Sequence, residues 1–398
     1  MLAPCPPAAY NRAMPIFDVA ILGAGASGLY CAIHAARRGL RIVVLDHAPK
    51  TARKVRVSGG GRCNFTNLAT GPDNFLCANP HFVKSALARH TPWDVVSFFA
   101  EHGLSYEEKA AGQLFCTEGA GKIAGTLTDQ AHKAGADIRL NTRITDLNPG
   151  EPFSVSGIRA HKVVMALGGP SWPAIGATRL ALDLAKALNL DVITPRPALV
   201  PLLLSGTDAS LCRSLAGTAL PASVTCNGNT FTDDLLFTHK GISGPAVLQA
   251  SSYWQPGQSV VVNLLPTQDM EAVLTEAHAS KTLLRNFLAT ILPKRLAPAL
   301  LPPDLADMPV NQLSTAHSKR IAALIHHWEF VPARTEGYAK AEVTAGGINT
   351  DQFSSKTFEC KSIPGLYAIG ECLDVTGHLG GHNLQWAWSS AWACAQAL

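Results

Sequence analysis

The sequence predicts an α/β fold whose parallel sheet starts near the N-terminus, is interrupted by an insertion, and is finished at the C-terminus. Three observations carry this. The run from Phe17 to Asp46 reads as strand, glycine turn, helix, strand. Between about Thr194 and Pro266 the texture changes to short β-prone segments separated by Gly, Pro and Asn. A lone βα unit, Leu366–Ile369 followed by Asn383–Leu398, then closes the chain. Strands separated by a helix run parallel with a right-handed crossover. The final unit brings no partner strands of its own, so it completes the sheet begun at residue 17.

Taken in order, Val19–Leu22 is a short buried strand, Ala26–Arg38 has helical spacing, Gly39 stops the helix, and Arg41–Leu45 is the second strand. From Pro92 to Leu140 the pattern is mostly helical, and Val163–Leu167 is another buried parallel strand. The segments ALVPLLL, ASVTC and SVVVNLL suggest an antiparallel sheet or small barrel, and residues 270–328, rich in Ala, Leu and Lys, a helical cluster. No internal repeat is evident.

Composition narrows the class. With 398 residues, 47% hydrophobic and 16% charged, the chain can bury the cores of two or three domains and is too apolar to be disordered. A net charge of +4 permits an anionic partner without demanding one. None of the ten cysteines forms a Cys-x-x-Cys, which argues against a zinc ribbon or dithiol centre; no metal site is expected. Their scatter suits a reducing compartment, and residues 1–15, rich in Pro and Ala without an apolar core, read as a disordered leader rather than a signal peptide. Apolar stretches are broken before they could span a bilayer, so the expected location is the cytoplasm, away from membranes.

Two segments carry chemistry. Gly23-Ala24-Gly25-Ala26-Ser27-Gly28 is a G-x-G-x-x-G turn between strand and helix. Gly23 permits the tight turn, Gly25 lets the backbone approach a pyrophosphate, and Gly28 lets helix and strand pack closely. Asp46 ends the second strand eighteen residues after Gly28, where a carboxylate can bond ribose hydroxyls. This is the fingerprint of a Rossmann-type dinucleotide site. The second segment is Ser58-Gly59-Gly60-Gly61-Arg62-Cys63-Asn64-Phe65-Thr66-Asn67. Consecutive glycines cost about 0.5–1 kcal/mol each relative to Ala in regular structure. Close backbone approach to something flat or anionic, with amides facing the edge of a flavin ring, is the benefit that explains them.

Four separated segments, DVAILGAGASGLYCA, RKVRVSGGGRCNFTN, LLFTHKGISGPAVLQAS and GLYAIGECLDVTGHLGGHNLQWAWSSAWA, together resemble the HI0933-like (BaiN/RdsA-type) flavoprotein family, and LGGPSWP at Leu167–Pro173 resembles one of its subfamilies. The resemblance implies non-covalent FAD in a Rossmann-type domain split by an inserted β-barrel plus a small helical subdomain. The expected division is a leader (1–15), the N-terminal segment of the FAD domain (16–193), barrel (194–268), helices (269–328), return to the barrel (329–340) and the C-terminal segment of the FAD domain (341–398). Carried over by position, Gly23, Gly25, Ser27 and Gly28 hold the pyrophosphate, Asp46 the adenosine ribose, and Ile144, ending a TRITDL strand, the adenine. Arg62, Cys63 and Asn64 line the flavin; Gly370, Glu371 and Asp374 reach the ribityl chain and phosphates. Gly381, Asn383, Leu384 and Gln385 meet the pyrimidine end of the ring, where a helix N-terminus favours negative charge. Ala26, Ser58, Gly59, Gly60 and Gly168 complete the expected cofactor set. The chain departs from the family pattern at Asp46 (Glu is usual), Cys116 (Pro) and His382 (Tyr).

Catalytic candidates are Cys63, a thiol at the flavin face or simply a packed side chain, and His239 in FTHKGISG, a proton donor or a structural histidine. The basic cluster Arg53, Lys54, Arg56 and Arg62 can steer a phosphate-bearing substrate, or serve FAD or solvent. One dinucleotide fingerprint, not two, means that NAD(P)H as reductant visits the flavin face transiently. The family's activities include reduction of conjugated C=C bonds in steroid-like acids, uridine reduction in ribosomal RNA, and oxidation of small amines. The first reading is a reductase passing hydride from NAD(P)H through flavin N5 to a polarised C=C bond, with a small molecule or ribosomal RNA as substrate. The alternatives are a ribosomal RNA dihydrouridine synthase, an amine oxidase, and a flavin-bearing RNA-binding protein without turnover. The oligomeric state is left open.

Overall fold

The computed structural model describes residues 16–398; the expected leader lies outside them. The first core is a six-stranded sheet in which Leu366–Ala368, Ile158–Met165, Ile16–Leu22, Ile42–Leu45 and Asp137–Arg139 lie side by side, all parallel. Phe153–Val155 adds antiparallel to Ile158–Met165. Register pairs Val19 with Ile42 on one side and Lys162 on the other, and Leu366 with Val163. The C-terminal strand thus enters a sheet whose other members were made two hundred residues earlier. Val19–Leu22 and Ile42–Leu45 are buried on both faces, which is why they are unbroken apolar runs rather than alternating ones.

The helices that cover this sheet bring the chain ends together. Ala26–Ala36 packs against the C-terminal helix His382–Ala395 and against Ala120–Lys133. Trp386 and Trp388 of the last helix are buried in the core, and their indole N–H groups donate to the Gly370 and Phe65 carbonyls at 3.2 and 2.8 Å. The second of these bonds anchors the glycine-rich segment on the C-terminal helix, 323 residues away in the chain.

The chain leaves the first core along Val192–Ala198 and returns along Val343–Ile348, an antiparallel pair. Between them lies a seven-stranded antiparallel sheet: Trp328–Phe330, Val260–Asn263, Ala219–Cys226, Asn229–Thr238, Gly241–Ser243, Leu202–Leu203 and Arg334–Thr335. The two outermost strands are joined only by residues 331–333, so the sheet curls until its edges meet, as in a barrel. Short helices, Met270–Glu276, Leu284–Leu288, Leu296–Leu300, Pro303–Ala306 and Thr315–His326, share its core with Val224, Phe237 and Val262. A small third cluster, Ala198, Leu199, Val343 and Ala345, fills the crossing.

Two local expectations are corrected. The stretch read as mostly helical holds strands Tyr106–Glu108 and Gln113–Cys116, which form a three-stranded antiparallel sheet with Asn64–Asn67. Strands of three or four residues are too short to show a period. TRITDL forms no strand: Thr142 N donates to the Asp46 carbonyl and Thr145 N to Ser156 Oγ, so side-chain and loop bonds replace a ladder.

Candidate active site

A cavity of about 650 Å³ opens where the glycine turn, the glycine-rich segment, the C-terminal motif and the insertion converge. Its size is that of cofactor and ligand sites, roughly 300–1,000 Å³.

One wall is the glycine turn. Gly23, Gly25, Ala26 and Ser27 line the cavity. Gly23 has φ 107°, and a Cβ there would lie 2.4 Å from the Ala166 carbonyl oxygen. Gly28 faces away from the cavity, and its Cβ would strike the Gly23 oxygen at 1.9 Å. Both are glycines because backbone passes over backbone. Gly25 differs: φ is an ordinary −84°, a Cβ would meet nothing within 4 Å, and the space beyond is the cavity. It also opens the helix Ala26–Ala36 without a side-chain cap or an acidic residue in the first turn, leaving first-turn amides for an anion. Asp46 lines the cavity and accepts from Ala24 N and Ala48 N, both at 2.8 Å, so its carboxylate holds the turn in shape as well as facing the site.

The second wall comes from Ser58, Gly59, Gly60 and Asn64. Gly59, Gly60 and Gly61 all have positive φ, 56°, 64° and 85°, a left-handed succession that other residues resist. Asn64 donates through Nδ2 to Gln113 Oε1 at 3.3 Å, while its Oδ1 is buried without a partner. Gly381, Asn383 and Leu384 at the start of the last helix face the same space, as does Gly168. Asn383 clamps the approach loop: Gly377 N donates to its Oδ1 and its Nδ2 donates to the Gly377 carbonyl, both at 2.8 Å.

The floor is ionic. Lys54 Nζ lies 2.6 Å from Glu371 Oε2 and 2.7 Å from Ser171 Oγ, while Ser171 Oγ and Thr344 N donate to Glu371 Oε1 at 3.0 and 3.1 Å. Burial pushes the Glu371 carboxyl upward, but the Lys54 charge and these hydrogen bonds outweigh it and hold the group below its ordinary value. Thr344 sits on the returning strand of the crossing, so this cluster ties that strand to the glycine-turn and C-terminal segments.

Other expected residues stand elsewhere. Cys63 is buried outside the cavity, and desolvation raises its thiol to about 12. It packs, and at neutral pH it is not a thiolate. His239, expected as a proton donor or a structural histidine, is exposed in the turn between Asn229–Thr238 and Gly241–Ser243, outside the cavity. Arg62 lies on the surface with its guanidinium carbon 5.5 Å from the Phe115 ring centre. Ile144 is in the core, and Gly370 packs under Ser27, whose Oγ would lie 2.6 Å from an added Cβ. Asp374 is buried, its carboxyl raised by desolvation, accepting from Ala78 N at 2.9 Å. Gln385 is fully buried, bonded to Thr66, Ser389 and the His90 carbonyl. Of the basic cluster, Arg53 and Lys54 line the cavity and Arg56 and Arg62 do not. His382 is also buried and lowered to about 4 by desolvation, its Nδ1 2.9 Å from Thr70 Oγ1.

The reading from sequence missed His378, Trp172, Glu342 and Asp233, all of which line the cavity. His378 lay in plain sight within TGHLGGHN, and Trp172 within LGGPSWP. Glu342 and Asp233 carry no signature, being brought there by the crossing and by the barrel.

The residues fit a dinucleotide: an uncapped helix start, a glycine whose side-chain volume is left open, and an orphaned amide oxygen across the cavity. Comparison with known proteins agrees, since residues 17–397 match the HI0933-like protein Rossmann domain. The chain belongs to the HI0933-like family. It is thereby an FAD-dependent oxidoreductase, and the fold is Rossmann-type. Among its relatives, the "Ribosomal RNA dihydrouridine synthase" of Escherichia coli (strain K12) is 45% identical over 395 residues, covering 97% of this chain and 98% of the relative. The protein of the same name from Haemophilus influenzae is 45% identical over 391 residues (95% and 97% covered). The "3-dehydro-bile acid delta(4,6)-reductase" of Clostridium scindens is 28% identical over 412 residues (95% and 98%). Among the described residues no helix is long and apolar enough to cross a membrane.

Proposed function

We propose that this enzyme reduces the C5=C6 bond of a uridine in ribosomal RNA to give dihydrouridine. The observation that carries the proposal is full-length likeness, at 45% identity, to two proteins named for that reaction. A uridine C5=C6 bond is conjugated to a carbonyl, so it falls within the wider class of polarised C=C bonds, as does the target named in the more distant bile-acid reductase.

FAD, when bound, would supply the hydride chemistry, with NAD(P)H as its reductant in our reading. The chain's own residues do the rest. Gly25 and the uncapped start of Ala26–Ala36 receive the pyrophosphate, and Asp46 a ribose. Asn64, whose Oδ1 is buried without a partner, would accept from a donor of the bound group. Gly381 and the start of the last helix favour negative charge placed beside them. Lys54, Ser171 and Glu371 hold the floor together, and the barrel contributes Asp233 and Pro245 to the far side.

The test is to map dihydrouridine in ribosomal RNA from a strain lacking the gene, with and without a plasmid copy. Loss of one dihydrouridine on deletion and its return on complementation are expected. Unchanged dihydrouridine would overturn the RNA substrate, and purified protein that reduces a small conjugated ketone would then favour the broader reading.

A further inference from the structure

At the far end of the cavity, where the insertion meets the glycine-turn domain, His378 Nε2 lies 2.8 Å from Tyr253 Oη. The two residues are 125 apart in the chain. Phe231 of the barrel stands edge-on to the imidazole, 5.5 Å between ring centres at 86°, and its ring lies 5.5 Å from that of Tyr253. Asn383 Nδ2 donates to the His378 carbonyl at 3.3 Å, and His378 N donates to the Asn74 carbonyl at 2.8 Å, so the backbone is pinned on both sides. His378 lines the cavity, and its partner belongs to the inserted domain.

Reduction of a conjugated C=C bond has two halves. Hydride adds to the β-carbon, the π pair moves toward the carbonyl, and the α-carbon must then take a proton. Among the cavity's titratable groups, Lys54 is committed to Glu371 and Ser171, while His47 lies beside Asp46 and Lys50 follows in the same loop. Asp233 is exposed; Glu342 also lines the cavity with its carboxyl raised by desolvation, and it is the competing acid that Glu342→Gln tests. His378 is set apart by its place at the junction and by the hydrogen-bonded side chain behind it.

We infer that His378 gives the proton to the α-carbon and that Tyr253 replaces it from the other side of the ring. The inference rests on the reductase reading above. Nδ1–H is lost to the α-carbon while Nε2 takes the proton of Tyr253 Oη, which recovers one from water. The substrate gains one hydride and one proton, and the imidazole stays neutral throughout, returning to its first tautomer by exchange with solvent. Desolvation supports this scheme: it lowers His378 below the usual histidine value and raises the Tyr253 phenol, so both are neutral near pH 7.

The test uses the FAD-loaded enzyme and its variants His378→Asn, Tyr253→Phe and Glu342→Gln. Nitrogen-15 NMR of histidine-labelled protein should show Nε2 of His378 unprotonated and hydrogen-bonded, with its resonance shifted in Tyr253→Phe. Equilibrium titrations should give FAD and RNA affinities within about threefold of wild type in each variant, whereas kcat should fall by about 10²–10⁴-fold in His378→Asn, the usual worth of general acid catalysis. A smaller fall is expected in Tyr253→Phe. Three results would each overturn the relay: a protonated Nε2, kcat within threefold of wild type in His378→Asn, or a loss of that size confined to Glu342→Gln. Wild-type protein that forms no dihydrouridine but reduces another conjugated substrate would overturn the RNA reading alone, and the same variants then decide the relay on that substrate.

Discussion

Gly25→Val separates the fold from the cofactor site, and the structure gives the size of each effect. The backbone at Gly25 has φ −84°, which valine adopts freely, and nothing lies within 4 Å of the new Cβ. Valine at a helix N-cap costs about 0.5–1 kcal/mol relative to Gly. Stiffening the unfolded chain returns about 0.4–1 kcal/mol. The folded chain should therefore change by less than about 1 kcal/mol, or no more than roughly 2–4 °C in melting temperature. The two valine methyls, however, occupy the space through which a pyrophosphate reaches the amides at the start of Ala26–Ala36. Losing two hydrogen bonds to a charged group, at about 1.5–3 kcal/mol each, removes about 3–6 kcal/mol of binding. That is about 10²–10⁴-fold in affinity. The assay is flavin absorbance retained through gel filtration, with fluorescence titration of the apoprotein by FAD and a thermal melt of the same sample. An FAD affinity within threefold of wild type in soluble Gly25→Val would refute the assignment of this turn. Gly28→Ala is the contrast: its Cβ would meet the Gly23 oxygen at 1.9 Å, so the expected outcome is loss of soluble protein rather than loss of flavin alone.

Cys63→Ala and His239→Ala should each retain FAD and turnover, since neither side chain lines the cavity; a large loss of kcat with flavin bound would restore either as catalytic. Lys54→Met should cost about 1.5–3 kcal/mol by removing a charged hydrogen bond from Glu371. The Glu371 carboxyl is depressed in the folded protein, so its contribution is present above the unfolded value of 4.5 and lost as pH falls through the lower folded value. In Lys54→Met burial prevails and protonation relieves the charge, so melts at pH 7.5 and 5 should show the gap from wild type narrowing at the lower pH. Truncation before Asn383 should leave no soluble folded protein, because Trp386 and Trp388 go with it from the core; a folded, flavin-binding fragment seen by circular dichroism would contradict the packing described above.

Much of this was readable from residues. The buried run Val19–Leu22, the glycine turn and the helix that follows are local: spacing and glycine placement specify them without reference to the rest of the chain. So is the change of texture in the insertion, where Ala219–Cys226 and Val260–Asn263 are indeed strands. The short sheet of Asn64–Asn67, Tyr106–Glu108 and Gln113–Cys116 was not readable, because its strands gain stability from pairing across fifty residues rather than from any period of their own.

The same division runs through the site. Glycine spacing and Asp46 marked where a dinucleotide belongs, and the segment resemblance named the family. Which neighbours in a motif face the ligand was decided only by packing. Asn383 and Leu384 face the cavity while Gln385, next in the helix, is turned into the core toward Thr66 and His90, because successive helical side chains point about 100° apart. Cys63 and Asn64 likewise diverge, one inward and one toward the cavity. The sequence by itself determined the chemistry that could be present: the phosphate-cradling turn, the carboxylate and the glycine-rich loop. Only the tertiary structure decided that Lys54 meets Glu371 and that His378 meets Tyr253, since those contacts are made by elements 317 and 125 residues apart that share no local signal.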